Sequence, residues 1–198
     1  MHKNRPSPER VAKRAMVLSA LVCRGFLEME NPADVEELRA SLLPWIDTVG
    51  ARKEIEQHEL IVLTAPLGGL DAQTQINLAW AVEGLAILAW AMKRYELHAD
   101  NTLADPQSIT KTMIFLHESA KSLVDEPTLR ESVELEAMKA ECYTKLCRLK
   151  EFASNPINAD KLDEQSFSIT SSISRERMRA SSWLSGEKEL YSQVDISL

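Results

Sequence analysis

The sequence predicts a mainly all-α fold, a single-domain compact bundle of about six to seven helices, and four observations support this prediction. The 198 residues are 44% hydrophobic and 27% charged, which is typical of a globular domain. This length suits one α-helical domain over residues 1–198. The 6 glycines are too few for a turn-rich all-β fold, and apolar residues recur at helical spacing along most of the chain.

Local start and stop signals mark the first three helices. Ser7-Pro8-Glu9 offers a serine N-cap, a proline at the first helical position and an acid in the first turn. Asn31-Pro32 repeats this signal for a second helix, which Pro44 is expected to kink or split. Gly25 is expected to end the first helix, and a short third helix is predicted from Glu54 to Thr64.

The fourth helix is predicted to form the centre of the bundle, near residues 72–95. Asp71 is its expected N-cap, and from Leu78 to Met92 the helix is apolar on every side. In a globular protein, a helix of this kind is surrounded by other helices. The apolar stretch is shorter than the roughly 20 residues that a membrane span needs, so we expect a cytoplasmic protein with no membrane partner.

In the second half of the chain, the sequence pattern predicts two further helices, then an irregular connecting segment, and then a last helix. One helix follows Ser108 and reaches about Lys121, and the next follows Pro127 and reaches about Ala153. Residues 154–174 contain a serine-rich run and are predicted to be a less regular connecting segment. The last helix is expected from Arg175 to Leu184.

The charge balance bears on the kind of partner. Lys and Arg total 23 and Asp and Glu total 30, which gives a net charge of −7 and a pI of about 5.2. A dedicated nucleic-acid binder usually has a basic excess, so we expect no nucleic-acid partner. An acidic surface instead suits a protein partner with a basic surface. A basic cluster near the N-terminus is expected on the exposed side of the first helix, with docking on an acidic partner as the alternative: Arg5, Arg10, Lys13 and Arg14.

Common catalytic and cofactor motifs are missing from the sequence. It has no Gly-rich phosphate loop, no nucleophile elbow and no metal-binding motif of histidines or cysteines. We therefore predict no cofactor and no metal, and favour a non-enzymatic protein. Glu54 and His58 lie one helical turn apart, but an exposed helix pair accounts for them better than a metal site. The cysteines are predicted to be structural thiols: Cys23, Cys142 and Cys147.

Glu83 is the only ionisable residue in the apolar stretch of the fourth helix. An isolated buried carboxylate is very costly, so this side chain must be paired, protonated or open to a cavity. Its expected partner is one of the arginines in the segment from Arg175 to Arg179. A structural ion pair and a functional acid remain alternatives for Glu83, and a solvated basic face remains an alternative for the arginines.

A ligand site is one hypothesis that combines these features. Glu83 would act as the acid or base, an arginine would hold an anionic group, and tryptophans would wall the pocket. The residues assigned to this site are Glu83, Arg177, Arg179, Trp80, Trp90 and Trp183. A cavity that reaches Glu83 would support the hypothesis, whereas a closed ion pair with no adjacent void would contradict it.

Four stretches of the chain resemble a known family: RPSPERVAKRAMVLSALVCRG, LTAPLGGL, AWAVEGLAILAWAM and RERMRASSWLSG. Together they resemble the bacterial domain-of-unknown-function family 4272. The most specific match is to the family core Trp-x-x-Glu-(Ala/Gly)-Leu-x-x-Leu-x-Trp-Ala, which falls here on Trp80, Glu83, Gly84, Leu85, Leu88, Trp90 and Ala91. The resemblance implies an α-helical fold and implies no activity.

A second family motif, Glu-Arg-(His)-x-Ala-Leu-Asn-Trp-Leu, resembles the segment from Glu176 to Leu184. Met178 stands where the family has histidine, and Ser182 stands where it has asparagine. If the family uses those two side chains in a site, this chain lacks that site.

Two classes of function follow from the sequence. The favoured one is a non-enzymatic protein-interaction module, for example an immunity-type or regulatory protein, whose exposed acids between Glu28 and Glu37 attract a basic partner. The alternative is a small-ligand-binding protein or enzyme with an internal site around Glu83 and a C-terminal arginine.

Overall fold

The computed structural model describes residues 5–98, 102–154 and 163–196, and this part of the chain forms eight α-helices and no strand. The helices are α1 (Pro8–Leu27), α2 (Pro32–Thr48), α3 (Gln57–Thr64), α4 (Ala72–Ala91), α5 (Pro106–Thr112), α6 (Lys121–Asp125), α7 (Ser132–Ser154) and α8 (Glu164–Leu184). Single 3₁₀ turns lie at Arg52–Glu54, Glu118–Ala120 and Tyr191–Gln193. The predicted all-α fold is confirmed.

The centre of the bundle is the pair α1 and α4. α4 packs against α1 and α8, α8 packs against α7, and α1 also contacts α2, α3 and α6. Nearly all of the buried apolar residues belong to one core cluster that extends from Val11 to Val194. The single-domain organisation over residues 1–198 stays a prediction. No helix in the described part of the chain is long and apolar enough to cross a membrane.

Gly25 does not end α1, which continues to Leu27. It lies where α1 crosses α4, and a Cβ atom at this position would lie 2.7 Å from the Cβ of Leu78. The prediction that Gly25 ends the helix is wrong because the missing side chain serves a close helix–helix contact instead of a turn. Pro44 does not split the second helix: it lies inside α2, which continues to Thr48.

The predicted N-caps are confirmed at three helices. Ser7 Oγ accepts a hydrogen bond from the backbone N–H of Arg10 at 3.2 Å, and Asn31 Oδ1 accepts one from the N–H of Ala33 at 3.3 Å. Asp71 Oδ1 accepts one from the N–H of Thr74 at 2.9 Å. Each cap satisfies an amide that the first helical turn leaves without an intrahelical partner.

Several predicted helix boundaries differ from the structure. The helix expected from Ser108 to about Lys121 is the shorter α5, which ends at Thr112, because the chain turns at Ile114 (φ 54°) and Leu116 (φ 61°); α6 begins only at Lys121. The third helix is shorter than predicted, since a 3₁₀ turn precedes it. The prediction of an irregular segment over residues 154–174 is wrong for residues 164–174, which begin α8. Residues 155–162 of that segment lie outside the described part of the chain.

The basic residues in α1 and just before it do not form an exposed face, which corrects the sequence-based expectation. Arg14 is 1% exposed, and its Nη1 donates to Glu59 Oε2 at 2.9 Å. Arg24 is fully buried; its Nη1 lies 2.5 Å from Glu28 Oε1, and its Nη2 donates to the Pro66 carbonyl at 3.1 Å. The others are half-buried and each has an acidic partner: Arg5 with Glu136, Arg10 with Glu54, and Lys13 with Glu9.

Residues 187–196 form a C-terminal strap across α1 and α3. Arg10 Nη2 donates to the Glu189 carbonyl at 2.7 Å, and Glu56 Oε1 accepts a hydrogen bond from Ser192 N–H at 3.2 Å. The ring of Tyr191 is buried beneath the strap, with the Arg14 guanidinium 4.7 Å from its centroid. The last residues of the described chain are therefore part of the bundle.

Gly84 of α4 leaves room for the side chain of Tyr191 in the strap. A Cβ atom at Gly84 would lie 2.3 Å from Tyr191 Oη, and this hydroxyl has no hydrogen-bond partner among the described residues. Gly84→Ala should therefore lower the free energy of unfolding by about 1–2 kcal/mol, because overpacking exceeds the roughly 1 kcal/mol that alanine gains inside a helix. Urea denaturation measures this loss.

The control for Gly84→Ala is the variant Tyr191→Phe, which removes the clashing oxygen. Tyr191→Phe alone should be neutral or stabilising, because it removes a buried hydroxyl without a partner. The double variant should be at least as stable as the wild-type protein. If Gly84→Ala costs as much in the Tyr191→Phe background as in the wild type, this contact is not the cause.

The three cysteines are free thiols in the structure. Burial raises the pKa of the Cys23 thiol to about 11, and burial also raises the pKa of Cys142. Both thiols are therefore weak nucleophiles at neutral pH, which agrees with the prediction that they are structural.

Candidate functional site

Glu83 is fully buried and belongs to a closed ion pair with Arg177. Arg177 Nε donates to Glu83 Oε2 at 2.9 Å, and the backbone N–H of Ala104 donates to Glu83 Oε1 at 2.7 Å. Arg177 also donates to the carbonyls of His98 and Thr102, each at 3.3 Å. The pair thus connects α4, α8 and the segment around Ala104, and it confirms the prediction that a C-terminal arginine is the partner of Glu83.

A cavity of about 390 Å³ lies beside this ion pair but does not reach the carboxylate. Arg177 lines the cavity together with Trp90, Cys142 and Ser174, whereas Glu83 is not among the described residues that line it. The side chain of Arg177 is only 7% exposed, and its donors are engaged by Glu83 and by backbone carbonyls. This geometry is that of a structural anchor, in which the buried charges satisfy each other.

The N-terminal half of α4 is exposed, which corrects the expectation that the helix is surrounded from Leu78 onward. Every residue from Val82 to Met92 is buried, but between Ala72 and Ala81 only Leu78 is buried. Ile76 is 50% exposed, and Trp80 is half-buried. No neighbouring helix of the described chain covers this apolar face.

An open groove runs along this exposed face of α4, and we call it the α3/α4 groove. Its volume is about 760 Å³. Leu18 of α1 forms part of its floor, Ile61 lies on the α3 side, and Ile76 and Trp80 lie on the α4 side. Ile61 is 64% exposed, so both sides present apolar side chains to solvent. Grooves of this size and character commonly bind ligands or peptides.

α8 supplies a polar wall of the α3/α4 groove. Ser172, Arg175 and Arg179 line the groove and follow one another at helical spacing on one face of α8. Arg179 pairs with Glu176, which also lines the groove. Arg175 is exposed and forms no ion pair with any residue that the structure describes.

The six residues predicted to form one ligand site do not form one pocket. Glu83 and Arg177 form the closed pair, Trp90 lines the smaller cavity, and Trp80 and Arg179 line the α3/α4 groove. Trp183 is fully buried in the core, where its Nε1 donates to the Glu189 carbonyl at 3.3 Å. The hypothesis placed Trp80, Trp90 and Trp183 in the wall of one pocket, but the helices place these three tryptophans in separate regions.

Sequence reasoning missed the groove residues Ile61 and Ile76. In a run of apolar residues, periodicity cannot tell which face has a neighbour, because that depends on where the other helices pack. The one available signal was the polar composition around Ile76, since Gln73, Gln75 and Asn77 surround it. Such a pattern is unusual for a fully buried helix.

The acids between Glu28 and Glu37 are not all available to a partner. The side chain of Glu28 is 1% exposed and pairs with Arg24, and its Oε2 accepts a hydrogen bond from Gly68 N–H at 2.9 Å. The prediction that Glu28 is exposed is therefore wrong, because its side chain links Arg24 of α1 to the turn after α3 through an ion pair and a hydrogen bond. The other acids of this stretch are exposed: Glu30, Asp34, Glu36 and Glu37.

Metal-ligating side chains do not cluster in the described part of the chain, where no group of three or more His, Cys, Asp or Glu residues could hold a metal ion. Glu54 accepts hydrogen bonds from Arg10, whereas the side chain of His58 is 61% exposed. These two residues therefore belong to different contacts.

The fold and the groove together define an all-helical protein with an open, partly apolar groove on its central helix. The chain belongs to the family described as "Domain of unknown function (DUF4272)", whose model matches residues 2–194. The sequence-based resemblance is thereby confirmed. Searches of curated proteins and of solved structures each found no match to the chain.

Proposed function

We propose that the protein is a non-enzymatic interaction module that holds a segment of another protein in the α3/α4 groove. The observation that carries this proposal is the uncovered apolar face of α4, where Ile76 is 50% exposed beside Ile61, which is 64% exposed. Exposed apolar side chains gathered in one groove are typical of a docking surface. An immunity-type or regulatory role is the finer form of this proposal.

The alternative function, a small-ligand protein or enzyme around Glu83 and Arg177, has less support. Both oxygens of Glu83 accept hydrogen bonds inside the fold, and the carboxylate does not line the adjacent cavity. A general acid or base must come within hydrogen-bond reach of its substrate. The closed pair leaves no path for such contact in this arrangement.

The proposal is tested by site-specific photo-crosslinking in the native host. A photo-reactive amino acid at position 76 should give a discrete crosslinked protein, because this position lies in the groove. The matched control is position 133 on α7, where Val133 is also apolar and is 74% exposed. Position 133 lies outside the groove and should not capture the same protein.

The captured partner must then bind the purified protein through the groove. Ile76→Arg should weaken this binding by at least about tenfold, since a charge would enter an apolar contact, while Val133→Arg should leave the affinity unchanged. Equal crosslinking from positions 76 and 133, or full affinity of the Ile76→Arg variant, would contradict the proposed function.

A further inference from the structure

We propose that the segment bound in the α3/α4 groove is an amphipathic helix that carries a carboxylate opposite Arg175. This inference rests on the proposed function and specifies the shape and charge of the occupant. It follows from three features of the groove: its helical walls, the division between its apolar and polar sides, and the pairing of its charges.

The shape of the groove fits a helix. α3 and the N-terminal half of α4 supply apolar walls, α8 supplies a polar wall and α1 supplies the floor, so a further helix could pack against helices on several sides. Ile76 and Trp80 are one turn apart on α4 and form a short ridge on its exposed face. Side chains at corresponding spacing on a second helix pack into such a ridge.

The groove has apolar residues on α3 and α4 and polar residues on α8, and this difference favours an amphipathic occupant. The exposed Ile61 and Ile76 and the half-buried Trp80 come from α3 and α4 and lie among polar residues of the same helices, whereas the lining residues of α8 are all polar: Ser172, Arg175, Glu176 and Arg179. A helix lying between them must turn an apolar face toward α4 and a polar face toward α8. A segment that is apolar all round would bury Arg175 without an ionic partner, which is costly.

The charged residues that line the groove favour a bound helix whose polar face is acidic. Its two lining carboxylates, Glu59 and Glu176, are bound by Arg14 and Arg179, respectively. Arg175 is the remaining lining arginine, and it forms no ion pair within the described residues. A guanidinium of this kind binds a carboxylate through two parallel hydrogen bonds. The groove therefore favours an acidic segment, although the net charge of the whole chain is −7.

Three model peptides test this inference even before the natural partner is identified. They are helical peptides of about 18 residues with the same apolar face and with glutamate, glutamine or lysine on the polar face. Fluorescence anisotropy gives their affinities for the full-length protein. The glutamate peptide should bind at least about tenfold more tightly than the lysine peptide, and added salt should reduce this difference.

Arginine variants show whether α8 is the source of the preference. In Arg175→Gln/Arg179→Gln the glutamate and lysine peptides should differ by less than about threefold, while the affinity for the glutamine peptide stays unchanged. Arg148→Gln is the control, since Arg148 is exposed on α7 outside the groove and should keep the full preference. If the double variant does not fold, Arg175→Gln alone carries the test, because it removes no ion pair among the described residues.

Trp80 reports whether the peptides enter the groove. Its side chain is half-buried and lines the groove, whereas the other three tryptophans are at most 9% exposed. Peptide binding should shift the tryptophan emission to shorter wavelength, and Trp80→Phe should abolish most of this shift. An unchanged shift in Trp80→Phe would place the peptide elsewhere and overturn the inference.

The remaining outcomes separate this inference from the proposed function. Equal or tighter binding of the lysine peptide, or no binding of any peptide, overturns the acidic-helix inference, while crosslinking from position 76 can still support the proposed function. A dimer in sedimentation experiments that Ile76→Arg dissociates would show a second copy of the chain in the groove and would also overturn the inference.

Discussion

Replacing Arg177 with methionine is expected to lower the free energy of unfolding by about 3–5 kcal/mol, among the largest effects of any single substitution in this chain. The variant would leave the Glu83 carboxyl group fully buried and without its ionic partner. It would also remove the donors that bind the carbonyls of His98 and Thr102. Urea denaturation at neutral pH measures the loss.

Arg179→Met is the matched control, because Arg179 lies on the same helix and also pairs with a glutamate. Its side chain is 29% exposed, so its loss should cost less than about 1 kcal/mol. The double variant Glu83→Gln/Arg177→Met should lose less stability than Arg177→Met alone, because no unpaired charge remains buried. Equal costs for Arg177→Met and Arg179→Met would show that the buried pair does not stabilise the fold.

Arg14→Met is expected to have an effect of similar size, about 3–5 kcal/mol, because it leaves Glu59 without its buried partner. Burial alone would lower the pKa of the Arg14 guanidinium, but its hydrogen bond to Glu59 and the charge of that residue outweigh burial and raise it. Arg14 also donates to the Glu54 carbonyl at 3.0 Å and lies over the ring of Tyr191. The substitution should therefore loosen α3 and the C-terminal strap together.

The neighbouring residue Lys13 provides the control for Arg14→Met. Lys13 pairs with Glu9 at a partly exposed site, so Lys13→Met should change the free energy of unfolding by less than about 1 kcal/mol. Thermal unfolding of both variants, followed by circular dichroism, gives the comparison. If the two variants unfold at the same temperature, Arg14 is not part of the stabilising network.

Features that depend on neighbouring residues in the sequence could be predicted well. The caps at Ser7, Asn31 and Asp71 form as expected, because a cap needs only its own side chain and the following two or three amides. The apolar run of α4 was correctly placed at the centre of the bundle. The need of Glu83 for an arginine partner was also predictable, because the cost of burying a lone carboxylate does not depend on the fold.

Features that depend on how helices pack against one another could not be predicted. The sequence offered Arg175, Arg177 and Arg179 as partners of Glu83, and only the rotation of α8 against α4 selects Arg177. An arginine in a basic stretch, such as Arg14, is expected on the surface. Arg14 is buried because it pairs with Glu59, which lies 45 residues later in the sequence. The open groove was missed for the same reason, since an apolar helical face shows no sign of whether a neighbour covers it.

The arginines of α1 have a consequence for the order in which the chain folds during synthesis. Arg10, Arg14 and Arg24 bind Glu54, Glu59 and the Pro66 carbonyl, which lie 44, 45 and 42 residues later in the sequence. When α1 emerges from the ribosome, these acceptors lie 42 to 45 residues behind the arginines and have not yet emerged. These contacts of α1 can therefore form only after the segment up to Pro66 has emerged, and a nascent chain that ends before Glu59 leaves Arg14 without the carboxylate that pairs with it in the mature protein.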